Sequence, residues 1–386
     1  MSRGLRTRTA GLLGVVAATV LGVSMSTTSY GASMPLATHP AVVHPFLKTL
    51  GHISTIGSTV PANGDINPYG IAMISSSAGR LVRGDVLVSN FNDAANVQGT
   101  GRTLVELSPT GKLTLFAKIG RLPTGQRCPG GVGLGTALAV LPGGWVVVGS
   151  TPAVGPSGAP SQLNPAGCLI VLNSTGKVVE TWTNQTINGP WDMTASVHGG
   201  TAALFVSNAL SRPAGSKGLR KSGPCDVTRI DVTLGHGVPH MKSATVVGSG
   251  FPWLVNHATF VLAPTGVAIS ASGTLYVVET IGNHITVIPN ALSRTTPVKD
   301  RSNTLTKGGA LNAPLGLLMA PNGDLIAVNG NNGIAVEISP SGHQVATATL
   351  VPNGAGSLFG LTLSLSGHGL VFVNDGKNAV QRDLAH

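Results

Sequence analysis

The chain has 386 residues, of which 42% are hydrophobic and only 10% are charged. So much apolar material with so little charge excludes a disordered chain and is enough for a large core. The formal net charge is +10, but the main basic cluster, residues 217–221, has no interleaved aromatic residues, so we expect no nucleic-acid partner. The 53 glycines and 25 prolines predict many tight turns, which argues against a helical protein.

The N-terminus has the features of a secretory signal peptide. Three arginines among the first eight residues precede an apolar run over residues 10–23, which is too short to span a bilayer comfortably. Small residues follow, and we place the cleavage near residue 33, with an uncleaved membrane anchor as the alternative. No later stretch is long and apolar enough for a membrane helix, so we expect a secreted, monomeric protein.

A motif recurs six times along the rest of the chain. In its clearest copies a proline is followed two residues later by a glycine, and then by two short apolar runs that are divided by a turn. The second run usually ends at a small polar residue. The copies cover 68–90, 134–149, 190–208, 264–279, 314–329 and 358–374. Further hairpin signals follow most of them, such as the Ser-Pro-Thr-Gly turn at 108–111.

Four strands per unit and six units predict an all-β fold, a six-bladed β-propeller of four-stranded antiparallel blades. One blade cannot bury both faces of its sheet, whereas blades stacked in a closed ring bury them and leave no unpaired end blade. We place the propeller at residues 65–386, after a signal peptide at 1–33 and an extended segment at 34–64. A pair of β-sandwiches and a β-solenoid are the rival architectures, and the uneven spacing of the copies argues against the solenoid.

The copy that begins at Pro264 resembles the NHL repeat almost throughout. The similarity runs from Pro264-Thr-Gly through the strand Leu275-Tyr-Val-Val-Glu279 to the continuation His284-Ile-Thr-Val-Ile. The resemblance implies a propeller of the NHL-repeat superfamily, which includes the gluconolactonase-like propellers. It implies little about function, because propellers of this kind include binding modules, lactonases, lyases and oxidoreductases. The usual acidic residue of the repeat is Glu279 here, while most other copies have asparagine at that point.

Polar residues end the second apolar run of most copies, and equivalent blades would place them at one radius around the central axis. Asp192 joins them because it stands where other copies have the motif glycine. The predicted axial binding ring consists of Asn90, Asp192, Asn208, Glu279, Asn329 and Asn374. Its oxygens suit Ca²⁺ as the cofactor, with Glu279, Asn208 and Asn329 as the metal-binding candidates, a mix similar to that of the gluconolactonase-like propellers. The alternative is that these residues cap turns by bonding to the backbone.

Three cysteines follow the predicted signal peptide: Cys128, Cys168 and Cys225. An exported protein sits in an oxidising environment, so we expect one disulfide. We prefer the Cys128–Cys168 pair because these two residues bracket one predicted blade, while the sequence alone leaves the other pairings open. No spacing typical of a structural zinc site is present.

The sequence shows no compact catalytic constellation, and its glycine-flanked serines are not in a strand-to-helix elbow. We therefore rank a binding or scaffold module first, with an unidentified small molecule, extracellular polymer or protein as the partner. The alternative is a Ca²⁺-dependent lactonase or ester hydrolase with its site at the propeller axis. Whether the protein is an enzyme stays open. Aromatic residues at the blade entries either rim a pocket on one face or fill gaps between blades: Tyr69, Trp191, Phe251, Trp253 and Phe359.

Overall fold

The computed structural model has an all-β architecture, as the sequence predicts. It describes residues 44–151, 167–210, 220–235, 237–256 and 260–385. The predicted signal peptide lies outside these ranges, so export stays a prediction. Within these ranges no helix is long and apolar enough to cross a membrane. The helices described are three short 3₁₀ turns at Phe46–Thr49, Pro142–Gly144 and Asp375–Lys377.

Six sheets, each built on four antiparallel strands, form the six blades of a propeller ring, and the innermost strand of each blade lies at the centre. The first blade contains β2 (Ile66–Met73), β3 (Val86–Asn92), β4 (Thr103–Leu107) and β5 (Leu113–Lys118). The second contains β6 (Leu134–Leu141), β7 (Trp145–Ser150), β8 (Cys168–Leu172) and β9 (Val178–Trp182). The third contains β10 (Pro190–His198), β11 (Thr201–Asn208), β12 (Arg220–Thr233) and β13 (His240–Asn256), and two short strands extend it, β14 (Phe260–Leu262) and β18 (Val298–Lys299).

The remaining three blades have four strands each. The fourth contains β15 (Pro264–Ile269), β16 (Leu275–Glu279), β17 (His284–Ile288) and β19 (Thr304–Lys307). The fifth contains β20 (Pro314–Met319), β21 (Leu325–Asn329), β22 (Ile334–Ile338) and β23 (Gln344–Thr349). The sixth contains β24 (Leu358–Leu363), β25 (Gly369–Asn374), β26 (Ala379–Ala385) and, as its outermost strand, β1 (Leu50–Ser58). The predicted blade count and strand number are therefore confirmed.

The ring is closed by pairing the two ends of the described chain. β1 runs antiparallel to β26, from Leu50 opposite Ala385 to Ser58 opposite Ala379. The propeller therefore begins at residue 50, inside the segment 34–64 that the sequence analysis placed before it. An outermost strand has few buried positions, and β1 is largely exposed, so it carries no copy of the motif that marks the inner strands.

The motif glycines let the inner strands of neighbouring blades approach backbone to backbone. A Cβ atom on Gly316 would collide with the carbonyl oxygen of Phe359 in the next blade, and one on Gly360 with that of Tyr69. Any other residue would need a wider ring at these points. The third blade is different, because Asp192 occupies the equivalent position on β10.

A disulfide joins Cys128, in the loop after β5, to Cys168 at the start of β8, with their Cα atoms 5.3 Å apart. This is the pair that the sequence analysis preferred. The bond fastens the connection between the first and second blades to the interior of the second, where Cys168 is fully buried. The loop between the blades is thus held at a fixed position beside the sheet.

Candidate functional site

The five predicted ring residues at the ends of second strands are buried within their blades. Each is at most 1% exposed: Asn90, Asn208, Glu279, Asn329 and Asn374. The Oδ1 atom of Asn208 accepts the backbone N–H of Asn188 at 3.1 Å. The Oδ1 atom of Asn329 likewise accepts the N–H of Asn312 at 3.0 Å. Both donors lie in the loop that leads into the first strand of the same blade, so these carboxamides cap the entry loop.

The other two asparagines are also bonded within the protein. The Nδ2 atom of Asn90 donates to the carbonyl oxygen of Thr59 at 2.9 Å. The Nδ2 atom of Asn374 donates to Oε1 of Gln381 at 2.6 Å. None of the four asparagines lines either of the two cavities of the central channel.

Glu279 lies in a buried charged cluster away from the other ring residues. The Nδ1 atom of His284 is 3.1 Å from Glu279 Oε2, an ion-pair contact whose N–H direction is poorly aligned for a hydrogen bond. On the other side of the imidazole, the Nε2 atom of His284 is 2.8 Å from Oδ1 of Asp300. The three side chains are at most 3% exposed, and the Arg301 guanidinium lies 3.5 Å from the second Asp300 oxygen.

This cluster does not fit a Ca²⁺ site. Burial opposes the protonated imidazole, but the two carboxylates outweigh it and raise the pKa of His284 from 6.5 to about 9. The possible ligand atoms of the three side chains lie within 4.8 Å of one another, but Ca²⁺ prefers oxygen ligands and the imidazole of His284 offers nitrogen. Glu279 also already accepts the backbone N–H groups of Ile281 and Gly282 at 2.8 and 2.7 Å. The cluster is therefore a salt-bridged triad inside the fourth blade.

Asp192 is the one member of the predicted ring that lines the central channel. It borders a cavity of about 310 Å³ that is surrounded by the inner strands, and its side chain is partly exposed there. Its Oδ2 atom accepts the backbone N–H of Val267 from the fourth blade at 3.0 Å. The surrounding channel wall desolvates the carboxyl group and raises its pKa from 3.8 to about 7. This group therefore changes charge near neutral pH, as acid–base groups in functional sites do.

Aromatic side chains divide the channel above Asp192. The Tyr69 ring packs against Phe359, with centroids 4.4 Å apart, and meets Trp191 edge-on at 5.4 Å. Trp191 Nε1 donates to the Tyr69 hydroxyl at 2.8 Å. Burial and the nearby charge of Asp192 raise the pKa of Tyr69. Tyr69 and Phe359 border cavities on both sides, so this aromatic layer separates them.

The second cavity, which we call the mouth, opens where the first strands begin. It has a volume of about 450 Å³. Its floor is aromatic, and its walls carry amides and one carboxyl group: Tyr69, Phe91, Trp191, Phe359, Asn67, Gln98, Asn331 and Asp375. None of the described residues that line it is basic. Burial raises the pKa of Asp375 from 3.8 to about 6, so this carboxyl group is mostly charged above neutral pH.

The mouth contains residues that the sequence analysis missed. Phe91 directly follows Asn90 on β3, and Asp375 directly follows Asn374 at the end of β25. Successive residues of a strand point to opposite faces, so a buried ring position is followed by one that faces elsewhere. The predicted blade-entry aromatics divide between two roles. Tyr69, Trp191 and Phe359 form the mouth floor, while Phe251 and Trp253 are buried in the core.

Known structures share this fold. The chain is similar to a gluconolactonase from Xanthomonas campestris at 14% identity, over 87% of this chain and 96% of that one, with a TM-score of 0.51. The feature that the two chains share is the six-bladed propeller fold. A luciferin-regenerating enzyme matches at 11% identity, over 86% and 95% of the two chains, with a TM-score of 0.52. The GH93 alpha-L-arabinofuranosidase of Fusarium graminearum, in complex with arabinobiose, matches at 11% identity, over 88% and 98%, with a TM-score of 0.51.

At these identities the likeness concerns the fold, which for propellers leaves function undetermined. No family model matches the sequence, and no curated protein matches it.

Proposed function

We propose that this protein is an exported binding module that holds a small neutral or cationic organic molecule in the mouth of the propeller. The observation that carries the proposal is the composition of the mouth. A cavity of about 450 Å³ with an aromatic floor lies within the size range of small-molecule sites. The amides of Asn67 and Asn331 can orient polar groups of a ligand, while the aromatic rings provide apolar contact.

The charged groups that line the mouth favour neutral or cationic ligands over anions. The carboxyl group of Asp375 is the acidic group of the mouth, and no lysine, arginine or histidine lies among the described residues that line it. An anion would therefore enter without a counter-charge. A cation can interact with the Asp375 carboxylate and with the face of an aromatic ring, and a neutral molecule needs no counter-charge.

Binding can be measured through tryptophan fluorescence, because Trp191 lies in the mouth floor. We expect benzyltrimethylammonium and phenyl β-D-glucopyranoside to change the emission saturably, and benzoate to have no such effect. Replacing Trp191 with Phe should remove most of the change. Trp145→Phe is the matched control, because Trp145 begins β7 in the second blade and does not line the mouth.

A second substitution tests the charge argument. Asp375→Asn should weaken benzyltrimethylammonium binding by roughly tenfold, the effect of losing one close counter-charge in a partly desolvated site, and should leave the phenyl glucoside nearly unchanged. Equal binding of benzoate and the cation, or a Trp145→Phe variant that loses the signal as fully as Trp191→Phe, would contradict the proposal.

The alternative function is a Ca²⁺-dependent hydrolase with its site at the propeller axis. It is supported by the Asp192 carboxyl group in the channel, and by a fold shared with a structure described as a gluconolactonase. If Ca²⁺ is bound at a hundredfold excess over its dissociation constant, it adds about 2.7 kcal/mol to the free energy of unfolding. The alternative therefore predicts a melting temperature that falls when a chelator is added.

The binding proposal gives the opposite expectation. We expect no stoichiometric calcium in the purified protein by elemental analysis, and the same melting temperature with and without EDTA. A chelator-dependent fall that is absent in Asp192→Asn would favour the hydrolase and contradict the metal-independent site. A fall of equal size in both proteins would indicate calcium at another position.

A further inference from the structure

A second recess, separate from the mouth, lies beside the loop that connects the first blade to the second. It has a volume of about 560 Å³ and is bordered by Arg102 and by the loop residues 120–128, 131 and 132. Two more arginines of that loop, Arg121 and Arg127, also line it. No acidic residue is among the described residues that line this recess, and it shares no lining residue with the mouth.

The three guanidinium groups are available for a ligand. All three residues are exposed, and their side chains make no hydrogen bond or ion pair with the described part of the chain. Arginines with a structural role in this protein are different. Arg80 donates to the carbonyl oxygens of Leu115 and Phe116, and Arg229 is paired with Asp231 at 3.0 Å.

In the described part of the chain, no ion pair joins an acidic residue to any of the three arginine side chains. Asp65 is the carboxylate that bonds to Arg102, but it accepts the backbone N–H at 2.8 Å and is only 4% exposed. The described lining of the recess therefore contains three arginines and no acidic residue. Such a surface attracts anions and concentrates them in the recess.

The loop is fixed to three neighbouring strands. The N–H of Ile119 donates to the carbonyl oxygen of Arg102 at 2.7 Å, which fastens the start of the loop at β4. The Oε1 atom of Gln126 accepts the N–H of Thr181 on β9 at 2.6 Å. The disulfide of Cys128 fastens the far end to β8. Binding an anion thus costs less ordering of the backbone than it would in an unattached loop.

We propose that this recess binds phosphate or sulfate groups. The planar guanidinium presents N–H donors in a fork that matches two oxygens of such a group, and charge-assisted hydrogen bonds of this kind are about twice as strong as neutral ones. A carboxylate offers two oxygens for three arginines, whereas phosphate and sulfate esters offer three. The group can belong to a soluble phosphate compound or to a sulfated or phosphorylated polymer, since the contacting chemistry is the same.

Isothermal titration calorimetry with pyrophosphate and with dextran sulfate tests the proposal and separates the two sources. We expect Arg121→Gln and Arg127→Gln each to weaken binding by about fivefold, because each removes one charged contact at an exposed site. Arg83→Gln is the control, since Arg83 is exposed in the first blade and does not line the recess, yet the change in net charge is the same. Thermal melts of all variants check that they fold.

The outcomes are distinct. Site-specific loss with pyrophosphate supports a soluble phosphate compound, and site-specific loss with dextran sulfate alone supports a polymer. If all three variants weaken binding equally, the attraction is a property of the net charge, and the proposed site is wrong. If neither probe binds the unmodified protein, the proposal is also overturned, and the mouth experiments are unaffected because the two sites share no residue.

Discussion

Replacing His284 with Ala should lower the free energy of unfolding by about 3–5 kcal/mol, the cost of breaking a buried ion-pair group by removing one partner. The imidazolium lies between the carboxylates of Glu279 and Asp300, and all three side chains are at most 3% exposed. Without it, two buried carboxylates would face each other, and among the described residues the half-exposed Arg301 is the remaining cation in ion-pair contact with them. Urea unfolding near neutral pH measures the difference.

The same triad predicts a pH dependence. The pKa of His284 is raised from 6.5 to about 9 in the folded state, so the folded protein keeps a proton that the unfolded chain releases. The stabilisation is complete below about pH 6.5 and is lost as the pH rises through about 9. The shift corresponds to about 3 kcal/mol.

His343→Ala is the matched control for both measurements, because His343 is exposed on the fifth blade and the hydrogen bonds it makes within the described chain come from its backbone. The unmodified protein and the control should lose stability over this pH window, while His284→Ala should not. A His284→Ala variant as stable as the control at neutral pH would show that the triad does not stabilise the fourth blade.

Asp192→Asn should raise the free energy of unfolding at about pH 8 by roughly 2 kcal/mol, which is about half of what the full pKa shift would give, because water in the channel screens the charge. The asparagine Oδ1 atom can still accept the N–H of Val267, which donates to Asp192 Oδ2 at 3.0 Å. The substitution therefore removes the partly desolvated charge and keeps the contact between the third and fourth blades.

The raised pKa of Asp192 determines how the free energy of unfolding changes with pH. The unfolded chain loses the Asp192 proton near 3.8, whereas the folded protein holds it until about 7. Stability therefore falls as the pH rises between these values and levels off above them. Urea unfolding should give equal stabilities for the variant and the unmodified protein at about pH 4. A variant that is less stable at both pH values would show that the ionised carboxylate is itself needed for packing.

The repeated motif determined the architecture. Alternating turns and short apolar runs can form only half-buried sheets, and six similar units bury those sheets by stacking in a ring. The glycine of the motif could be interpreted from the sequence, because it is required at the close approach of neighbouring strands. A Cβ atom at Gly316 or Gly360 would strike the backbone of the next blade. The Cys128–Cys168 pairing could also be predicted, because the two residues lie on either side of the motif copy at 134–149.

The tertiary structure decided which side chains meet. The sequence predicted that Asn90 and its equivalents surround the axis. In the structure their side chains are buried within their own blades, because successive residues of a strand point to opposite faces, and Asp192 lines the channel. The mouth floor brings together Tyr69, Trp191 and Phe359 from the first, third and sixth blades, and the pairing of β1 with β26 joins residues more than 300 positions apart. The motif consists of the residues that every blade requires in order to pack against its neighbours. Contacts between side chains that are distant in the sequence form only when the blades close into a ring, and the sequence of a single blade does not determine them.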